Sequence, residues 1–172
     1  MKKVLPLIGL LFTTSALADS LTGCYLDTMT TESYVSDESA EVASYIEVKN
    51  EDDQYFVRGL LWGGNYHICS IEGDEEGDGA GGALPMKRVG DTLVFTENDE
   101  EFGIHCKLEM SVKDGKLRVK DANYDCEKWI FTCGDGVGLD SVELPRVQQQ
   151  CPGPDYPNFD DPIAPSSDST NK

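Results

Sequence analysis

The chain has 172 residues, with 32 acidic against 14 basic side chains and a formal net charge of -18. That balance argues against a nucleic-acid backbone or an anionic membrane surface as partner, since both would repel it, and leaves a cationic protein, a cation or plain solubility. Hydrophobic residues make up 39%, including seven Tyr, six Phe and two Trp, enough for one modest core and too many for a wholly disordered chain.

Lys2 and Lys3 precede an apolar run over residues 4–12, and small residues follow up to Ala18. This pattern predicts a secretory signal peptide over 1–18, because the run falls short of the roughly 18 to 20 residues that a membrane-spanning helix needs. The mature chain is therefore expected in the periplasm or secreted, without membrane insertion. Losing Lys2 and Lys3, and no acid, takes its charge from -18 to -20.

The first local signal after the leader is at residues 36–42, where Asp, Glu and Ala predict one or two helical turns. Residues 44–49 then alternate, with Ile46 and Val48 on one face, and turn at Asn50-Glu51-Asp52-Asp53. Strands are expected over 54–61 and 66–71 around Gly63-Gly64, over 85–88 and 92–96 around Gly90-Asp91, and over 102–112. In the last, Phe102, Ile104, Cys106, Leu108, Met110 and Val112 fall at every second position. Asp114-Gly115 supplies a tight hairpin, after which Leu117 and Val119 resume the alternation. After residues 121–125 a further segment at 128–132 carries Trp129 and Phe131, and a short strand is expected at 142–147. The expected fold is all-β: an antiparallel up-and-down meander over residues 19–151, forming a small disulfide-stapled barrel or sandwich, with closure into a barrel favoured because it removes edges. Residues 152–172 read as a proline-rich disordered tail.

The six cysteines, Cys24, Cys69, Cys106, Cys126, Cys133 and Cys151, all follow the leader, and an even number in an exported chain reads as three disulfides. Fifteen pairings exist in principle. Cys126 with Cys133 makes a local loop and Cys24 with Cys151 joins the ends, which leaves Cys69 with Cys106 to tie two middle strands. On this strand order a bridge from Cys106 to Cys126 is not expected. His67-Ile68-Cys69 and His105-Cys106 set His beside Cys, yet no CxxC or paired His at ligand spacing occurs, so neither metal nor cofactor is expected.

In an unbroken meander alternate connections share one end. The Gly63-Gly64, Gly90-Asp91 and Asp114-Gly115 turns then fall together, and the other mouth receives Glu51, Asp52, Asp53, Glu72, Asp74, Glu75, Glu76, Asp78, Glu97, Asp99, Glu100 and Glu101, with Asp121 and Asp125 beside them. Crowded carboxylates repel, and a cationic partner relieves the repulsion. The competing reading is that loops are polar and acids favour solubility. Asp74-Glu75-Glu76-Gly77-Asp78-Gly79 resembles the start of a calcium loop, but its twelfth position is Pro85 and no helices flank it. An EF-hand is excluded, and weak calcium binding by residues 73–82 stays open.

No enzyme is expected. Both His lie inside predicted strands next to cysteines, His105 on the exposed face and His67 half-buried, and no phosphate loop, dinucleotide fingerprint or haem motif is present. His67-Ile68-Cys69, Cys106-Lys107-Leu108-Glu109-Met110 and the stretch from Cys126 to Cys133-Gly134 resemble the Cys-bearing strands of small β domains in exported bacterial proteins, some of them similar to periplasmic lysozyme inhibitors. The likeness spans residues 65–134, and the Ser-Gly and Tyr-rich loop signature of the C-type inhibitors is missing. It implies a non-enzymatic barrel that blocks a cell-wall hydrolase, and it carries over no inhibitory residue. The acidic mouth would then dock a cationic partner, a lysozyme or toxin hydrolase, as an inhibitor or immunity factor. The alternative is a lipocalin-like carrier, with Tyr55, Val57, Phe95, Phe102, Ile104 and Leu108 around a small apolar ligand.

Overall fold

Strands take up most of the described residues, and hydrogen-bonded pairing closes them on themselves. The structure, a computed structural model, describes residues 21–72, 82–131 and 133–152. Nine strands follow in order: β1 (Gly23–Glu32), β2 (Ser39–Glu51), β3 (Gln54–Trp62), β4 (Ile68–Ile71), β5 (Leu84–Val89), β6 (Thr92–Asp99), β7 (Ile104–Lys113), β8 (Lys116–Asp121) and β9 (Glu143–Val147). Every pairing is antiparallel, and the β2–β3 ladder joins the two ends of the row to give a closed eight-stranded barrel. The all-β, disulfide-stapled expectation holds, and of barrel and sandwich it is the barrel.

The register shows why these residues face inward. Tyr25 lies opposite Ile46, Ile46 opposite Gly59, and Gly59 opposite Ile71. Across the barrel, Leu93, Met110 and Val119 form another row, and Phe95, Leu108 and Asp121 a third. All but Gly59, Phe95 and Asp121 in these rows belong to one contiguous buried cluster, with Phe95 packed against it. Each fully buried aliphatic or aromatic side chain contributes about 1.5 to 3 kcal/mol, which makes this cluster the main source of stability. Gly59 is required by close approach: a Cβ there would stand 2.7 Å from the Tyr45 carbonyl oxygen.

Four local expectations change. Residues 39–42 belong to β2 rather than to a helix, because pairing with β1 along ten residues outweighs their weak helical preference. The partner strand β1 was not anticipated at all; its Thr-rich outer half lacks an apolar alternation. Phe102 sits in the β6–β7 turn beside Gly103, whose φ of 65° ends the alternation, so β7 starts at Ile104. Residues 126–130 form a π-helical turn, not a strand.

The two strands expected over 66–71 and 85–88 share a single position in the barrel wall. Residues 59–62 of β3 pair with β4 and residues 55–57 of the same edge pair with β5. Thus β4 and β5 run head to tail in one direction, as two halves of a single strand. The connection between them leaves from the wall of the barrel and not from its rim.

All six cysteines are bridged, as Cys24–Cys151, Cys69–Cys133 and Cys106–Cys126. The first is the expected pair; the local Cys126–Cys133 bridge and the Cys69–Cys106 bridge are corrected. After β8 the chain folds back over β7, where Asp125 Oδ2 accepts the His105 N–H and the Asn123 side chain donates to the His105 carbonyl. That docking brings Cys126 to Cys106, with Cα atoms 4.6 Å apart. Beyond the π-helical turn, Gly134 N–H donates to Ile68 O and sets Cys133 beside Cys69. The Cys106–Cys126 bridge therefore coexists with the meander, because it ties a connection to a strand. Three disulfides indicate an oxidising compartment. No helix among the described residues is long and apolar enough to cross a membrane. The predicted leader over 1–18 and the predicted tail beyond residue 152 lie outside the described residues.

Candidate binding surface

The interrupted strand changes which loops share an end. Counting β4 and β5 as one, the upper end carries residues 33–38, 63–67 and 100–103 and the long connection 122–142, while the lower end carries 52–53, 90–91 and 114–115. The single acidic mouth is thereby corrected. Glu51, Asp52 and Asp53 lie at the lower end with Gly90-Asp91 and Asp114-Gly115, whereas Glu97, Asp99, Glu100, Glu101 and Asp125 lie at the upper end with Gly63-Gly64. Glu72 leaves the wall just after β4. Asp74, Glu75, Glu76 and Asp78, with the calcium-loop candidate, fall outside the described residues.

The two ends differ in chemistry. At the lower end Asp52 and Asp53 both have positive φ, as do Asp114 and Gly115, the backbone of two-residue hairpin turns that Asp, Asn and Gly adopt most readily. These acids have a conformational reason to be there. Lys49, Lys87, Arg88, Lys113, Lys116 and Arg146 stand among them, offsetting their charge.

The upper end has few cations and most of the exposed apolar surface. Its loops hold Asp37, Glu38, Glu100, Glu101, Asp125, Glu127, Asp135 and Asp140, with Lys128 the only Lys or Arg in those connections and Lys120 at the adjoining end of β8 beside Glu109. Of the large hydrophobic side chains exposed among the described residues, Met29, Tyr34, Val35, Phe102, Tyr124 and Trp129 are at this end and Val89 alone is at the other. Phe102 is 74% exposed and Trp129 61%.

Backbone hydrogen bonds hold these side chains out. Asp99 Oδ1 accepts from the N–H groups of Glu101 and Phe102, ordering the hairpin tip on which Phe102 stands. The Cys106–Cys126 bridge and the Asn123 and Asp125 contacts to His105 fasten the segment that carries Tyr124 and Trp129. Lys128 lies over the Tyr124 ring at 5.5 Å from its centroid. Across the rim, Tyr34 N–H donates to Asn65 Oδ1 and its hydroxyl packs over Gly64, where a Cβ would come within 2.7 Å. His67 is half-buried and bonded to Asp135 O, and His105 is exposed.

Asp121 has a structural role. Its carboxylate is fully buried on the inner row and accepts from Glu127 N–H at 2.9 Å and Cys126 N–H at 3.4 Å, capping the π-helical turn. Burial raises its pKa above the ordinary 3.8, and the nearby Glu127 and Asp125 charges add to the rise against the lowering by the two N–H groups. Between 3.8 and the raised value the folded chain holds a proton that the unfolded chain has released, so stability present below 3.8 is lost as pH rises through the folded value. Asp121→Ala is expected to cost about 1 to 3 kcal/mol by stranding the two donors. In urea titrations, the difference from wild type should narrow as pH is raised from 3.8.

Tyr34, Val35, Tyr124 and Trp129 were not anticipated as surface groups, and Phe102, expected on the inner face, is outside. A usable signal existed at Trp129, which follows Glu127-Lys128 in a segment without strict alternation. Among the described residues no group of three His, Cys, Asp or Glu is arranged to hold a metal ion. No family model, curated protein or solved structure matches the chain.

Proposed function

We propose that this is an exported, non-enzymatic binding protein that docks a cationic protein on the upper end of its barrel. A lysozyme-like or toxin hydrolase is the partner class, with the chain acting as its inhibitor or immunity factor in the periplasm or outside the cell. The observation that carries the reading is the segregation of exposed large apolar side chains and weakly compensated carboxylates at one end. Aromatic anchors within a charged rim are the composition of binding surfaces whose central residues supply affinity and whose rim charges supply steering. The carrier reading has less support: Tyr55, Val57 and Leu108 are packed in the contiguous interior cluster, Phe95 is half-buried against it, and Phe102 is outside.

Immobilised protein is expected to retain a basic c-type lysozyme at low ionic strength and to release most of it at about 1 M salt, where the screening length falls to about 3 Å. Retention indifferent to salt, or no retention of any basic hydrolase, would count against the proposal.

A further inference from the structure

The wall of the barrel opens where β1 outruns β9. Their pairing is confined to Cys24 with Val147 and Tyr25 with Arg146, while β1 continues to Glu32. Between the upper half of β1 and residues 136–144 lies a cleft of about 300 Å³. Leu61, Val137, Val142 and Leu144 give it apolar walls, and Asp27, Thr28, Ser44 and Glu143 are its polar side chains.

Asp27 is an unusual residue for its position. It stands two residues beyond Tyr25 and opposite Ser44, on the face of β1 that turns toward the barrel interior. Tyr25 and Thr31 on that face are buried, whereas Asp27 and Met29 are exposed because the cleft admits solvent between them. Glu143, the other carboxylate of the cleft, and Ser44 are engaged. Glu143 pairs with Arg118 at 2.9 Å and with Lys116 at 4.0 Å, and the Ser44 hydroxyl accepts the Trp62 N–H at 2.9 Å. Asp27 accepts only from the neighbouring Thr28 N–H, at 3.0 Å, and no Lys or Arg among the described residues pairs with it.

The geometry points to a binding site for a guanidinium or ammonium head on a short apolar stem, with Asp27 holding the head and Leu61, Val137 and Leu144 the stem. The volume is at the small end of ligand pockets and matches a group the size of a side chain. A planar guanidinium gains most, since a carboxylate receives it through two parallel hydrogen bonds. The formal charge of -18 raises the local concentration of any such cation. The same chemistry is offered by an arginine side chain of a docked protein and by a free alkylguanidine or amine. The site itself does not depend on protein docking.

n-Butylguanidinium added to isotope-labelled protein is expected to shift the amide signals of residues 27–29 and 136–144 saturably, while n-butanol and n-butyrate do not. Asp27→Asn should weaken binding about tenfold or more, the usual consequence of losing a charge-assisted hydrogen bond, and Asp91→Asn at the lower end should leave it unchanged. Unshifted signals away from the cleft confirm that each variant is folded. Binding of N-acetyl-arginine-N-methylamide at similar affinity identifies a protein side chain as the natural source. Its exclusion while butylguanidinium binds identifies a free small cation. Unchanged affinity in folded Asp27→Asn, shifts centred elsewhere, or binding of butanol equal to that of butylguanidinium would overturn the site.

Discussion

Replacing Cys24 and Cys151 together by alanine is expected to lower stability by about 4 to 5 kcal/mol, the chain-entropy value for a bridge that closes a loop of this length. The two residues are 127 apart in sequence and join the start of β1 to the chain just beyond β9, so the bridge encloses nearly the whole barrel. By comparison, Cys106–Cys126 spans 20 residues, and loop entropy assigns it about 3 kcal/mol. Domains are stable by only about 5 to 15 kcal/mol, so the double variant should lose a large share of its margin. The melting midpoint should fall by about 10 °C or more, and denaturant curves should keep their cooperativity. Cys24 and Cys151 also sit in a second apolar cluster on the outer wall, with Tyr45, Leu60 and Trp62. A loss below about 1 kcal/mol would mean that this outer cluster and the β1–β2 ladder already hold the ends together without the bridge.

The second large effect concerns binding. Trp129→Ala is expected to weaken capture of a basic lysozyme about thirtyfold, corresponding to about 2 kcal/mol, the threshold for an interface hot spot. Phe102→Ala should act in the same direction. Both side chains are largely exposed, so thermal midpoints should change little. Glu100→Gln with Glu101→Gln should instead slow association and flatten its salt dependence while leaving dissociation nearly unchanged, because rim charges act before contact. The contrast is readable in one binding-kinetics series. Equal affinity of Trp129→Ala and wild type would remove the upper end from the interface.

β7 and β8 were legible because their apolar residues alternate strictly, and Asp114-Gly115 announces the turn between them without tertiary help. β1 was not, since inward Asp27 and Thr31 break the apolar row in that strand; the same two residues that hide the strand line its open edge and its contact with Gly63. The loop sorting failed for a different reason. Residues 68–71 and 84–89 each carry a strand signal, and nothing local says that they share one edge of β3. Cys24–Cys151 was legible and the other two disulfides were not, for a related cause: the return of residues 122–126 over β7 is decided by Asp125 and Asn123 bonding to the His105 backbone, contacts between side chains and a distant main chain that alternation does not encode. Charge was legible in amount, and its distribution depended on topology.

The break between β4 and β5 separates two kinds of change in this protein. Ile71 lies opposite Gly59 and Leu84 opposite Val57, so the chain leaves and re-enters the wall at points two residues apart along β3, about 7 Å. Both anchor points are held by their own ladders. A change of register on one side of the break therefore need not propagate to the other, because residues 68–71 answer to 59–62 of β3 and residues 84–86 to 55–57.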